Sequence, residues 1–92
     1  MTDVEITAVG SGQFGVRVTD GGMTTDHRVQ APTDYLDGLG LGGADPDAVI
    51  RASFSFLLER EPNTSILRQF SLPDIARYFP DYPDELRRRL SG

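Results

Sequence analysis

The hydrophobic pattern of this chain changes once, at Pro32, and that change limits the folds open to it. Before Pro32, apolar and polar residues alternate in three short runs separated by glycine-containing turns. Alternation with a period of two indicates strands that bury one face, and glycine favours the positive φ angles of tight hairpin turns. The sequence therefore predicts a three-stranded antiparallel β-meander over residues 3–31.

After Pro32, the spacing of the apolar residues becomes helical. The triplet Asp45-Pro46-Asp47 combines a capping side chain, a proline in the first turn and a carboxylate near the positive end of the helix dipole. It predicts a long helix over 46–61, which Pro62 ends because proline lacks a backbone donor. Shorter helices are predicted at 33–41, with Thr33 or Asp34 as the cap, and within 64–90, at 64–70, 71–79 and 83–90.

These elements predict a single α+β domain over residues 1–92, in which the meander packs against a long central helix and several short C-terminal helices. The apolar residues of the long helix cover more than one stripe, because the run 54–58 points in most directions around the axis. Such a helix is either wrapped by other elements or shared with a second subunit, and we expect a homodimer. The predicted core is Val4, Ile6, Phe14, Val16, Val18, Val29, Leu36, Leu39, Ile50, Phe54, Leu57, Leu58, Ile66, Leu67, Phe70, Leu72, Ile75 and Phe79.

The composition excludes several chemistries. The chain has no cysteine, so disulfide bonds, thiolate nucleophiles and cysteine-bound metals are excluded. No signal segment precedes the first strand and no apolar run approaches the ~20 residues that span a bilayer, so we predict a cytoplasmic protein without a membrane segment.

The charge balance disfavours nucleic acid as a partner. Nine arginines and no lysine stand against fourteen acidic residues, giving a net charge of −5, and an acidic protein repels phosphate backbones. The one basic run, Arg87-Arg88-Arg89, lies three to four residues from Asp84 and Glu85, the spacing at which helical side chains pair. We predict that this run is neutralised within the chain.

Residues 10–15, GSGQFG, match the dinucleotide-binding pattern G-x-G-x-x-G. That pattern functions only where its last glycine opens a helix facing the pyrophosphate. The residues that follow, 16–19, alternate and include β-branched side chains, so a strand is predicted there. The glycines are expected to form a hairpin turn, and no cofactor is predicted.

His27 is the single histidine and the obvious candidate for a base at neutral pH. A partly buried strand residue is the favoured interpretation, and a small enzyme using His27 with a carboxylate is the second alternative function. The pairs Asp45 with Asp47 and Asp34 with Asp37 lack the regular ligand spacing and central glycine of a calcium loop. Helix capping explains these pairs, and no metal is predicted.

The third predicted strand, the short helix and the long helix together resemble a ribbon-helix-helix repressor in their order and rough length. The resemblance implies that this strand pairs with its counterpart across a dimer and enters the major groove. Asp26, Arg28 and Gln30 would then face the DNA. Arg28 and Gln30 are suited to reading base edges, whereas Asp26 would repel phosphates. A DNA-binding regulator or antitoxin is therefore the first alternative function.

A second resemblance covers most of the chain. The segments 56–62, 65–72 and 75–82, which read FLLEREP, SILRQFSL and IARYFPDY, resemble the C-terminal part of a family of short bacterial proteins of unassigned function. Members of that family also begin with a β-rich segment. The resemblance implies no activity, cofactor or catalytic residue.

The stretch DIARYFPDYP, residues 74–83, supplies candidate partner-binding residues. Ile75 and Phe79 follow Leu72 at helical spacings of three and seven residues, so they are predicted to continue its core stripe. Arg77, Tyr78 and Tyr82 have no such predicted role in the core. Arginine and tyrosine are favoured anchors at protein interfaces. We therefore expect a small, non-catalytic protein-interaction module that self-associates, whose partner cannot be named from the sequence.

Overall fold

The computed structural model describes residues 2–91 and has an α+β architecture, which confirms the predicted fold class. In that part of the chain, four strands form one sheet and four α-helices are present. In chain order the elements are β1 (Thr2–Gly10), β2 (Gln13–Asp20), β3 (Met23–Gln30), α1 (Thr33–Gly38), α2 (Pro46–Arg60), a 3-10 turn (Asn63–Ser65), β4 (Gln69–Ser71), α3 (Leu72–Tyr78) and α4 (Tyr82–Ser91).

The sheet has the order β1-β2-β3-β4, so the predicted three-stranded meander is only part of it. The first three strands are antiparallel, whereas β4 runs parallel to β3 with Phe70 opposite Val29. The helix predicted at 64–70 is wrong: the segment contains the end of the 3-10 turn and the start of β4. Its backbone instead bonds to the free side of β3, where Arg28 N–H donates to the carbonyl of Arg68 over 2.6 Å.

The two hairpin turns are confirmed. Ser11-Gly12 connects β1 to β2, with Gly12 at a φ of 68°, and Gly21-Gly22 connects β2 to β3 with both glycines at positive φ. A residue with a side chain in place of Gly12, Gly21 or Gly22 would be strained, because L-residues rarely adopt positive φ angles. The G-x-G-x-x-G pattern is therefore a hairpin turn between antiparallel strands.

The predicted start of α2 is confirmed, whereas the predicted cap of α1 is not. At α2, an Asp45 carboxylate oxygen accepts from the Asp47 N–H over 3.2 Å, and the helix ends at Arg60, one residue before the predicted end. At α1, the predicted cap is wrong: Pro32 precedes the helix and no side chain caps it. The glycine-rich segment after it shortens this helix to six residues.

The broad apolar surface of α2 is covered by the chain's own elements. On the sheet side, the Phe54 ring lies 5.5 Å from His27 and 6.0 Å from Phe70. On the opposite side, the Phe56 ring lies 5.8 Å from Phe79 and 5.4 Å from Tyr82. Of the two explanations for such a helix, wrapping by other elements is the one observed.

Most of the predicted core is buried or half-buried. The exception is Leu67, which lies before β4 and is 54% exposed. The prediction missed Val49, Phe56, Tyr82 and Leu86, which are completely buried. In the described residues 2–91, no helix is long and apolar enough to cross a membrane.

Candidate partner-binding groove

His27 is a buried structural residue whose two ring nitrogens are both occupied. Its Nδ1 lies 2.7 Å from the carbonyl oxygen of Leu67, which can only accept, so Nδ1 donates. In the neutral ring, Nε2 then accepts from the hydroxyl of Thr25, 2.8 Å away. With 4% of its surface exposed and its ring tilted against Phe54, His27 ties the strand to the segment before β4.

Arg28 and Gln30, the residues that the ribbon-helix-helix resemblance would place on DNA, lie exposed on the outer face of the sheet. The strand that carries them has neighbours on both sides. Arg28 is opposite Gly15 on β2 and Gln69 on β4, and Gln30 is opposite Gln13 and Ser71 in the same way. The strand pairing across a dimer implied by the resemblance requires a free edge, and β3 has none at these residues.

The arginine run of α4 is paired with acids, as predicted. Arg87 contacts Asp84, Arg88 contacts Glu85, and Arg89 contacts both Glu59 and Glu85. The carboxylate of Glu59 lies 2.8 Å from Arg89, which lowers the pKa of Glu59 through this hydrogen bond. This end of the chain therefore presents pairs of opposite charge.

Tyr82, one of the three candidate partner-binding residues, lies wholly inside the core. Its hydroxyl is 2.7 Å from that of Ser53, which in turn donates to the carbonyl of Val49 over 2.8 Å. Burial raises the pKa of Tyr82, because the phenolate would lose its hydration. In this position the side chain presents no surface to a partner.

The other two candidates remain at the surface. Tyr78 is 70% exposed, the largest fraction among the exposed large apolar side chains, and Arg77 beside it is also exposed. Tyr78 ends α3 and forms one wall of a groove, whereas Arg77 does not line that groove. The structure therefore separates the three residues into one core side chain and two surface side chains.

The groove lies between the C-terminal end of α2, the segment before β4, and α3. It has a volume of about 230 Å³. Its deeper walls are the buried side chains Leu57, Ile66, Phe70 and Ile75. Leu67 also lines the groove and is 54% exposed, and its backbone carbonyl accepts from His27.

The charged side chains that line the groove are both carboxylates. Glu61 directly follows α2, where the carbonyl end of the helix dipole adds negative potential. Asp74 is half-buried and accepts from the Ser71 N–H over 3.0 Å in the capping box of α3. An apolar cleft with two acids suits a ligand that combines an apolar group with a cation.

Sequence reasoning misplaced two residues, one that lines the groove and one that lies in the core. Leu67 was assigned to the core because its spacing with Ile66 and Phe70 fits a helix, and no pattern in the sequence marks it as exposed. Tyr82 was assigned to the surface, although its spacing of four residues from the buried Leu86 continues one helical stripe and could have revealed its burial.

Comparison of the chain with models of protein families, with curated proteins and with solved structures gives no match.

Proposed function

We propose that this protein is a small, non-catalytic protein-interaction module that binds a segment of a partner protein in the groove between α2 and α3. The observation that carries the proposal is the position of Leu67 and Tyr78. Both large apolar side chains are exposed and line a groove whose other lining residues include buried side chains of the hydrophobic core. Covering them would remove apolar surface from water, which favours association.

The chemistry of the groove defines its occupant as a segment with a bulky apolar side chain next to an arginine or lysine. The apolar side chain would lie against Ile66 and Ile75 on the floor. The cation would lie near Glu61, where helix dipole and carboxylate add. The net charge of −5 would favour the approach of a basic segment over an acidic one.

The proposal is tested with a short synthetic peptide that has two leucines flanked by arginines, and with a twin that has glutamates in place of the arginines. Amide chemical shifts of the isotopically labelled protein report where each peptide binds. We expect the arginine peptide to shift amides within 61–79 saturably, with at least about tenfold higher affinity than its twin. Shifts spread evenly over the protein, or an absence of saturable shifts, would refute the proposal.

Matched variants show whether the groove itself is responsible. Leu67→Ser should weaken binding of the arginine peptide about three- to tenfold, whereas Met23→Ser, at a similarly exposed position at the start of β3, should leave it unchanged. Glu61→Gln should narrow the difference between the twin peptides, and Glu5→Gln on the outer sheet face should not. Equal effects within either pair would place binding outside the groove.

A further inference from the structure

The two edges of the sheet differ in length: β1, whose open edge faces away from β2, is the longer edge strand, and β4 is the shorter. β4 has three residues, whereas β1 has nine, and in residues 2–91 the sheet order leaves β1 paired with β2 alone. A strand edge presents a row of backbone donors and acceptors that a further strand can use. Because other elements of the chain cover α2, that helix does not offer an apolar face to a second copy. The edge of β1 does offer unpaired backbone groups.

The hairpins determine which residues direct their backbone groups to this edge. Asp20 and Met23 close one two-residue turn, so even-numbered residues of β2 bond toward β3 and odd-numbered residues bond toward β1. Glu5 is opposite the odd-numbered Arg17, so the backbone N–H and C=O groups of Glu5 bond to β2. Val4 and Ile6, opposite even-numbered residues, therefore point their N–H and C=O groups to the open edge.

The side chains at this edge are incompletely covered. Val4 and Ile6 lie on the core face, opposite the buried Val18 and Val16, yet both are only half-buried, and Ala8 farther along is exposed. A second strand beside β1 would extend the apolar face and cover them. Apolar side chains are therefore incompletely buried along the same edge where backbone groups are not paired with another strand.

We propose that a second copy of this chain binds along β1, antiparallel to it, with the two-fold axis at Ile6, so that two sheets join into one. Ile6 is the midpoint of Thr2–Gly10, so this register gives the greatest overlap. It places Glu5 opposite Thr7 of the other copy. An axis at Glu5 would instead oppose two like charges, which is destabilising.

Arg51 competes with this pairing. Its Nη1 donates over 2.9 Å to the carbonyl of Val4, which is not paired with a strand, and the guanidinium also lies 3.6 Å from the carboxylate of Asp47. Such a side chain on a strand edge discourages pairing with another chain. Because its side chain is 53% exposed, water can replace this contact when a second strand binds.

The absence of cysteine from the sequence makes single-cysteine cross-linking a direct test. Glu5→Cys and Thr7→Cys point to the outer face, so neither change touches the core. Mild oxidation of the two variants mixed together should give disulfide-linked dimers at least about fivefold more than either variant alone, because only the mixed pair is directly opposed. A Met23→Cys variant, at the exposed start of β3, gives the background from random collisions.

Light scattering on the unmodified chain and on two arginine variants provides the second measurement. Arg51→Ala should lower the dimer dissociation constant about three- to tenfold by freeing Val4, and Arg28→Ala should leave it unchanged. A monomeric mass at the highest soluble concentration, or preferential linkage of Glu5→Cys to itself, would overturn the proposal. Both tests probe β1 and are independent of peptide binding in the groove.

Discussion

Tyr78 and Tyr82 lie four residues apart and have opposite environments. Tyr82 is fully enclosed, bonded to Ser53 and packed against Phe56, whereas Tyr78 is 70% exposed at the wall of the groove. The same residue type therefore completes the core in one place and presents a surface in the other. The difference arises because α4 turns Tyr82 back onto α2, while α3 ends at Tyr78 and leaves its ring outside.

The largest expected effect separates the two tyrosines by stability. Tyr82→Ala should lower the free energy of unfolding by about 3–5 kcal/mol, because it removes a buried aromatic ring and leaves a cavity. Tyr78→Ala should change it by no more than about 0.5 kcal/mol, because an exposed ring loses few contacts. Denaturant unfolding followed by circular dichroism measures both. Equal losses would show that the two environments are not distinct.

A smaller loss is expected at the histidine that holds the rim of the groove. His27→Phe keeps a ring against Phe54 but leaves the carbonyl of Leu67 and the hydroxyl of Thr25 without their partner. Unfolding free energy should fall by about 1–3 kcal/mol. Amide hydrogen exchange should accelerate at 67–71, because the segment before β4 loses its tether to β3. Unchanged exchange there would contradict the structural role assigned to His27.

The smallest effect depends on pH. Tyr82→Phe should cost about 1 kcal/mol near neutral pH, since it removes the bond to Ser53 while Ser53 still donates to Val49. The pKa of Tyr82 is raised in the folded state, so above pH 10 the unfolded chain loses this proton first. Loss of this proton from the unfolded chain should then lower the stability of the unmodified protein by up to about 1.4 kcal/mol per pH unit, in addition to the contribution of Tyr35, whose pKa is also raised.

The Phe variant lacks this proton, so its stability should decline less steeply, and the two unfolding curves should converge above pH 10. Tyr35→Phe is the control, because burial also raises the pKa of Tyr35 while its buried hydroxyl has no hydrogen-bond partner in the described residues. Tyr35→Phe should make the decline of stability above pH 10 less steep, without lowering the free energy of unfolding at neutral pH. Parallel curves for Tyr82→Phe and the unmodified chain would contradict the burial of that hydroxyl.

Local signals predicted much of the fold. The alternation before Pro32 and the glycine turns gave the three antiparallel strands, and Asp45-Pro46 gave the start of α2, because the physical cause in each case lies within a few residues. β4 was missed for the opposite reason. A three-residue strand carries no period of its own and exists only because β3, some forty residues earlier in the chain, offers a free edge.

The candidate site was predictable only in part. Tyr78 could be selected because it lies off the apolar stripe of its helix, but the groove also includes Leu67, whose backbone carbonyl bonds to His27, forty residues earlier in the chain. Asn63 was also overlooked as a structural residue. Its buried amide donates to the carbonyls of Val18 and Met23, a contact between residues distant in sequence.

The contrast between the buried Tyr82 and the exposed Tyr78 is tested most directly by photochemically induced dynamic nuclear polarisation. In this NMR experiment, a photoexcited dye in solution enhances the signals of the tyrosine and histidine rings that it can reach. The chain offers three tyrosines, one histidine and no tryptophan. We predict a strong Tyr78 signal that the leucine–arginine peptide suppresses, with Tyr82 and His27 silent throughout. Enhancement of Tyr82, or a Tyr78 signal unchanged at saturating peptide, would contradict the assignment of the groove as the binding surface.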